Sequence, residues 1–144
     1  MFSKTCEYAI RALIFIAQRS KAGYKAGIKE ISAGIDAPES FIAKILQLLT
    51  KKDLVQSLKG PTGGFYLNEK SLQNSLADIV KAVDGDKIFV GCGLGLNYCS
   101  EKKPCPIHYE FKKVRSEIYA MLQSAKIGEL QEQLETKLSY LKQR

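Results

Sequence analysis

The chain has 144 residues, of which 45% are hydrophobic, and its 22 Lys and Arg outnumber its 15 Asp and Glu to give a net charge of +7. No run of about 18 apolar residues is present, which excludes a membrane-spanning helix, and the apolar stretch near the start lacks a signal-peptide cleavage pattern. We therefore expect a cytoplasmic protein with no membrane partner, and the basic charge favours nucleic acid as its partner.

The first part of the chain predicts three helices, the last two in a helix-turn-helix arrangement. Apolar residues recur at three- and four-residue steps over residues 3–20, which is typical of an amphipathic helix, and we expect Cys6 on its apolar face to be a core residue. A short helical pattern at residues 28–35 is ended by Asp36 and Pro38, and a second helix is predicted at about 38–52. Two short helices joined by a tight turn form a helix-turn-helix.

The helix at 38–52 is interpreted as the recognition helix. Its outer face is predicted to present Ser40, Lys44 and Gln47 to base edges and phosphates in the major groove. Helical spacing places Phe41 among the buried apolar residues, although its ring also suits contact with a thymine methyl group. Both roles for Phe41 stay open.

A β-hairpin is predicted directly after the recognition helix. Residues 54–58 and 65–68 have strand-like composition, and the turn between them is rich in glycine. A hairpin in this position is a wing, and small turn residues let the backbone approach DNA closely. We predict DNA contact by the turn, although a purely structural hairpin turn is the alternative; the residues concerned are Lys59, Gly60, Pro61, Thr62, Gly63 and Gly64.

The rest of the chain predicts further helices around an irregular loop. A helix is expected at 76–83, ended by Asp84 and Gly85, then an irregular segment at 91–106 and a long amphipathic helix at 107–125. Apolar residues recur at helical spacing over 127–141. The predicted fold class is mainly α with a small β-hairpin wing. Its parts are a winged helix-turn-helix domain at 1–85, a cysteine-rich loop at 86–106 and a helical region at 107–144.

The loop and the helix after it carry a set of soft metal ligands. Cys92, Cys99, Cys105 and His108 follow one another with six, five and two intervening residues. Thiolate and imidazole bind zinc and iron–sulfur clusters, but structural zinc sites usually place cysteines about two to four residues apart. The wider gaps favour an iron–sulfur cluster, with zinc, a redox thiol switch and inert cysteines as alternatives. We expect His108 to face the same side as Cys105 and to be a ligand rather than a satisfied core histidine.

Four segments carry a resemblance to a known family. They are YAIRAL at 8–13, SFIAKIL at 40–46, LVQSLKGPTGGFYL at 54–67 and LADIVKAVDG at 76–85. Together they resemble the Rrf-type (IscR/NsrR-like) family of winged helix-turn-helix transcription regulators, and the three-cysteine loop is typical of its cluster-binding branch. The gap between Cys92 and Cys99 is one residue longer than in the best-known members. Lys59 stands where many have arginine, and lysine offers no bidentate contact.

This resemblance implies a homodimer that binds a palindromic operator in double-stranded DNA. The long helix at 107–125 would cross to the partner, which makes 107–144 a dimerisation region. Cys92, Cys99 and Cys105 would ligate a [2Fe–2S] or [4Fe–4S] cluster, of which we favour [2Fe–2S]. His108 would be the fourth ligand, or Glu7 from the first helix of the other subunit would serve instead.

The function that follows is transcriptional regulation, and we expect a repressor that senses iron–sulfur status, redox state or nitric oxide. A cluster-free regulator of the same fold, using thiol oxidation or a protein partner, is the first alternative. A small iron–sulfur electron-transfer protein is the second, although it would not need a wing. No nucleophile–base pairing is recognisable, so we expect no enzymatic activity.

Overall fold

The computed structural model describes residues 1–136 and 141. Its element order confirms the predicted fold class, which is mainly α with one small antiparallel sheet. The helices and strands are α1 Lys4–Lys21, α2 Ile28–Ile35, α3 Glu39–Lys51, β1 Gln56–Leu58, β2 Gly64–Tyr66, α4 Glu69–Leu72, α5 Leu76–Asp84, α6 Lys87–Val90, α7 His108–Ser124 and α8 Ile127–Glu135. None of the helices described is both long and apolar enough to cross a bilayer.

Helix α1 is the central element of the fold. It begins after Ser3, whose hydroxyl accepts a hydrogen bond from the Cys6 amide at 3.0 Å and so satisfies one of the free donors of the first turn. Seven of its side chains are buried, and α2, α3, α5 and α8 all pack against it. Because four helices pack against this one helix, the helix-turn-helix and the last described helix belong to the same packed body.

The turn between α2 and α3 fixes the recognition helix. Asp36 ends α2 in the left-handed region with φ 53°, and the Arg11 side chain of α1 donates to the Ile35 carbonyl at 3.0 Å. Pro38 then sits just before α3, where its fixed φ suits a helix start. Helix α3 buries four apolar side chains against this frame: Ile42, Ile45, Leu46 and Leu49.

The wing is a short hairpin held to the body of the protein. Gln56 lies opposite Tyr66 and Leu58 opposite Gly64 in the antiparallel register. Phe65 also exchanges two backbone hydrogen bonds with Ala26, in the loop after α1, at 2.8 and 2.9 Å. Ala26 thus pairs with the outer side of β2, and this pairing joins the hairpin to the helices.

Both strands are shorter than predicted. Leu54 and Val55 are buried, but the Leu54 amide donates to the Leu49 carbonyl at 2.9 Å, so these residues complete the end of α3 instead of pairing. After β2, the Leu67 amide donates to the Ser20 hydroxyl at 2.9 Å, which takes the chain away from the hairpin. Local helix termination therefore prevails over the strand propensity of these residues.

A second, smaller core joins the cysteine-rich segment to the rest of the chain. Its buried members are Cys6, Ala77, Val80, Phe89 and Leu122, contributed by α1, α5, α6 and α7. Burial of Cys6 confirms its predicted core role. Helices α4 and α6 were not predicted, because four residues are too short to show a helical period. Phe89 of α6 places the start of the cysteine loop against the end of α7.

Helix α7 projects a large part of its surface away from both cores. It begins at His108, one residue later than predicted, and its predicted apolar face divides. Leu122 is buried and Ile118 packs beside it, whereas Val114 and Met121 are 50% and 51% exposed. A chain that leaves these apolar side chains on one long helix exposed has a surface suited to association.

The predicted tail is described in part. Helix α8 covers Ile127–Glu135 and packs along α1 through Ile127, with Leu130, Leu134 and Leu141 beside the main core. Leu138, which belongs to the same predicted pattern, lies outside the described residues.

Candidate functional site

One face of α3 is exposed and polar. Ser40, Lys44 and Gln47 are all exposed, and they follow at steps of four and three residues, which places them on one side of a helix. The prediction that these side chains share an outward face is consistent with this placement. Their arrangement offers a hydroxyl, a cation and an amide along a single helical surface.

Phe41 lies beside this face and is not part of the core. Its side chain is 51% exposed, so its predicted burial was wrong. The ring rests against the half-buried Tyr8, with ring centroids 6.1 Å apart, because the first turn of α3 lies at the rim of the α1–α3 packing. Of the two roles left open by the sequence, contact with an apolar group outside the protein is the one that the exposed ring suits.

The wing turn divides into an exposed tip and a structural base. Lys59, Gly60, Pro61 and Thr62 are exposed, while Gly63 and Gly64 are partly buried. A Cβ at Gly63 would lie 2.0 Å from the Leu58 carbonyl oxygen, so the hairpin closes only with glycine there. The structural reading of the turn therefore applies to Gly63, and the tip remains available for contact.

A cleft of about 360 Å³ separates α3 from the wing. It is lined by Leu46, Gln47, Thr50, Lys51, Ser57 and Phe65. Thr50, Lys51 and Ser57 line this cleft and were not predicted as site residues from the sequence. The signal was available for Lys51, because it lies one helical turn after Gln47.

The cysteine loop folds back onto α7. The Cys99 sulfur lies 3.5 Å from Nδ1 of His108, and a guanidinium nitrogen of Arg115 lies 3.4 Å from the same sulfur. That nitrogen also donates to the Gly91 carbonyl at 2.6 Å. Arg115 was not predicted as part of this site, since a lone arginine on a helix gives no sequence signal.

Cys92 lies in a turn of the same loop, where its carbonyl accepts a hydrogen bond from the Gly95 amide at 3.0 Å. The backbone N–H groups of Leu94 and Leu96, followed by a hydrogen bond with the Cys105 side chain, lower the pKa of the Cys92 thiol. Cys92 and Cys99 both line a cleft of about 390 Å³ next to α6. Hydrogen bonds to a sulfur favour its thiolate form, which is the form that binds metals.

Of the four predicted ligands, Cys99 lies directly against His108, and the Cys105 side chain contributes to the lowered pKa of Cys92. Across residues 1–136 and 141, no three His, Cys, Asp or Glu side chains form a ready metal site. The His108 amide donates to the Cys105 carbonyl at 3.0 Å, and this turn directs the imidazole inward toward Cys99.

The donor set nevertheless fits a thiolate-bound cofactor. All three loop cysteines carry free thiols and are partly exposed. His108 is 4% exposed, and its Nε2 is buried without a hydrogen-bond partner among the described residues. A buried imidazole nitrogen with no partner is costly, so an imidazole beside sulfur ligands is better explained by a binding role than by packing alone.

Glu7 and Cys6 occupy different environments in the first turn of α1. Glu7 is exposed, with its carboxylate 3.6 Å from the Lys4 ammonium group. Burial, assisted by the Asp84 carboxylate, raises the pKa of the Cys6 thiol to about 12. A protonated, buried thiol is a poor metal ligand, whereas the Glu7 carboxylate is exposed and takes part in a surface ion pair.

Comparison with known proteins identifies the family to which this arrangement belongs. Residues 2–133 match Rrf2, described as an iron-dependent transcriptional regulator. The chain belongs to the Rrf2 family. A putative HTH-type transcriptional regulator of Aquifex aeolicus is 30% identical over 90% of both chains. Rrf2 proteins are DNA-binding transcriptional regulators and not enzymes, and this chain is accordingly a transcriptional regulator.

Two solved Rrf2-type structures share the fold. CymR, the global cysteine regulator of B. subtilis, superposes with a TM-score of 0.76 at 17% identity, covering 92% of this chain and 96% of its own. T. potens IscR gives 0.75 at 18% identity, covering 97% and 92%. At these identities the likeness establishes the winged-helix fold.

Proposed function

We propose that this Rrf2 regulator is a homodimeric repressor whose affinity for a palindromic operator depends on an iron–sulfur cluster in the cysteine loop. The observation that carries the proposal is the contact of Cys99 with His108 and Arg115, because it places a predicted cluster ligand against two side chains of α7. Helix α7 is also the element that leaves apolar side chains exposed.

The DNA-reading surface of each subunit combines α3 with the wing tip. Ser40, Lys44 and Gln47 would enter the major groove with Phe41 beside them, and Lys59 would contact a phosphate from the wing. Gly60, Pro61 and Thr62 would let the tip approach the backbone, with Gly63 and Gly64 setting the hairpin geometry. The net charge of +7 would add a general electrostatic attraction to DNA phosphates that does not depend on sequence.

The second subunit would cover the apolar surface of α7. Val114 and Met121 are half exposed, and in the loop nearby Leu94, Leu96 and Tyr98 are 53%, 55% and 84% exposed. Exposed apolar groups concentrated on one helix and one loop favour burial against a second copy. A two-fold dimer then presents two reading heads to a palindromic site.

Cys92, Cys99 and Cys105 would provide the thiolate ligands of the cluster. The fourth ligand would be His108 or Glu7 of the partner subunit, and we favour a [2Fe–2S] over a [4Fe–4S] cluster. When bound, the cluster supplies one-electron redox chemistry and reactivity toward small oxidants or nitric oxide. The chain's own residues carry the sulfurs and fix the loop to α7 through His108 and Arg115.

The test is anaerobic isolation followed by iron and sulfide analysis, visible absorption and operator-binding measurements with and without the cluster. We expect a coloured protein whose operator affinity changes when the cluster is removed, and loss of both colour and response in Cys99→Ala. Cys6→Ala is the matched control, since it removes a core cysteine and leaves the loop intact. A colourless, iron-free wild type that binds operator exactly as Cys99→Ala does would end the sensor proposal.

Thiol oxidation without a cluster is the second candidate. The observation that favours it is the pairing of Cys92, whose pKa is lowered, with the neighbouring Cys105 side chain. Peroxide treatment of iron-free protein would then join these two sulfurs and change operator affinity. An electron-transfer role is disfavoured, because the wing and the exposed α3 face would have no part in it.

A further inference from the structure

Three side chains of α7 hold the cysteine loop. His108, Phe111 and Arg115 follow at steps of three and four residues and so lie on one face of the helix. His108 contacts Cys99, and the Phe111 ring lies so close to Gly93 that an added Cβ would be 2.8 Å from it. The loop is therefore docked on α7 along a continuous stripe.

Arg115 differs from the other two in touching two separate points of the loop. One nitrogen of its guanidinium lies 2.6 Å from the Gly91 carbonyl oxygen and 3.4 Å from the Cys99 sulfur. The guanidinium carbon also lies 5.9 Å from the centre of the Phe111 ring. The planar guanidinium presents its donors in a fixed geometry, so one side chain holds both points of the loop on α7.

A second cation links the loop to α7, but it does so at the surface. Lys112 pairs with Glu101, and the two side chains are 46% and 63% exposed. Exposed ion pairs of this kind contribute little, because solvent and salt screen them. Arg115 is partly buried, and its hydrogen bond to a carbonyl group has a fixed geometry, so it is the stronger of the two links.

We propose that Arg115 is a positioning residue that fixes the Cys99 sulfur and the Gly91 carbonyl on α7 and transmits a change at that sulfur to this helix. This inference rests on the proposed sensor function. The guanidinium N–H contacts the Cys99 sulfur, and a change that moves this sulfur breaks the contact. Arg115 then holds the loop through the Gly91 carbonyl alone, so residues 91–99 are fixed less firmly on α7.

The test compares Arg115→Gln and Arg115→Lys with Lys113→Gln, which removes the same charge from an exposed position two residues earlier on α7. Hydrogen exchange of the amides at 91–99 is measured in cofactor-free protein. The visible spectrum and midpoint potential are measured after anaerobic loading. Operator affinity is measured in both states, and Arg115→Lys serves as the folded variant should Arg115→Gln not fold.

We expect Arg115→Gln to raise amide exchange in the loop by about tenfold, as for a lost charge-assisted hydrogen bond. Its midpoint potential should fall, because a nearby cation favours the reduced, more negative cluster, and its ratio of operator affinities should approach one. Arg115→Lys should restore the potential in part, since it keeps the charge, while leaving exchange high.

Failure of this inference is distinguishable from failure of the sensor function. If the wild type responds to its cluster and Arg115→Gln matches Lys113→Gln in exchange, potential and affinity ratio, the role of Arg115 is overturned and the sensor stands. If the wild type carries no iron and its operator binding never changes, the sensor and the transmission through Arg115 are both overturned.

Discussion

At the scale of single residues, environment divides the four cysteines into two chemical classes. Cys6 is fully buried in the smaller core, and burial with a nearby carboxylate keeps it protonated. Cys92 lies in the loop, where backbone N–H groups stabilise its thiolate. The same side chain is therefore expected to differ in reactivity at the two positions, with Cys92 the better nucleophile.

This division predicts selective alkylation. In cofactor-free protein at pH 8, iodoacetamide should modify Cys92 and leave Cys6 unmodified. A thiol with a pKa of about 12 is thiolate in only about one molecule in ten thousand at that pH, whereas the pKa of Cys92 lies below its usual value. Peptide mass spectrometry over a time course measures both rates. In urea all cysteines should react alike, and equal rates for Cys6 and Cys92 in folded protein would contradict the prediction.

At the scale of elements, the wing combines a rigid base with an exposed cation. Gly63 allows the turn to close against Leu58, and Phe65 ties the hairpin to Ala26. Lys59 is thus presented on a fixed support, which reduces the loss of conformational freedom on binding.

We expect Lys59→Ala to lower the protein's affinity for operator DNA and for non-operator DNA by a similar factor. The reason is that a phosphate contact carries no sequence information. Its loss should also reduce the magnitude of the negative slope of log affinity against log salt concentration by about 0.9. Fluorescence anisotropy over a salt series measures this slope, with Lys113→Ala as the charge-matched control. An unchanged slope, or a loss confined to operator DNA, would argue against a phosphate contact by the wing.

The elements also show what the sequence can and cannot predict. Strong periodicity and the turn around Asp36 and Pro38 were sufficient for the helix-turn-helix, and the glycine-rich turn for the wing. Phe41 was misplaced because periodicity cannot tell the rim of a helix interface from its centre. The pairing of His108 with Cys99 depends on how one helical turn after Cys105 directs the imidazole, and spacing alone does not reveal this.

At the scale of the whole molecule, α7 connects the cysteine loop with the surface that we propose for dimerisation. Its buried end packs in the smaller core through Leu122, while Val114 and Met121 stay exposed. One helix thus contacts the loop, the body of the subunit and the proposed partner.

We expect Met121→Lys to shift the protein from dimer to monomer, because it would bury a charge in an apolar interface. Operator affinity should fall by at least tenfold, since a monomer loses the gain from binding two linked half-sites. Sedimentation velocity and operator titration measure the two effects. Gln133→Lys adds the same charge to the exposed surface of α8 and should change neither. A dimeric Met121→Lys protein would place the subunit contact elsewhere.

The backbone bonds between Phe65 and Ala26 have a consequence for any regulatory change in this protein. They join the wing to the loop before α2, and α1 packs against both the wing and α3, so the hairpin and the recognition helix share one support. Each subunit of a dimer would then bind DNA as a single unit, and a signal would alter the distance and angle between the two units. Discrimination between active and inactive states would then depend on the number of base pairs between the half-sites.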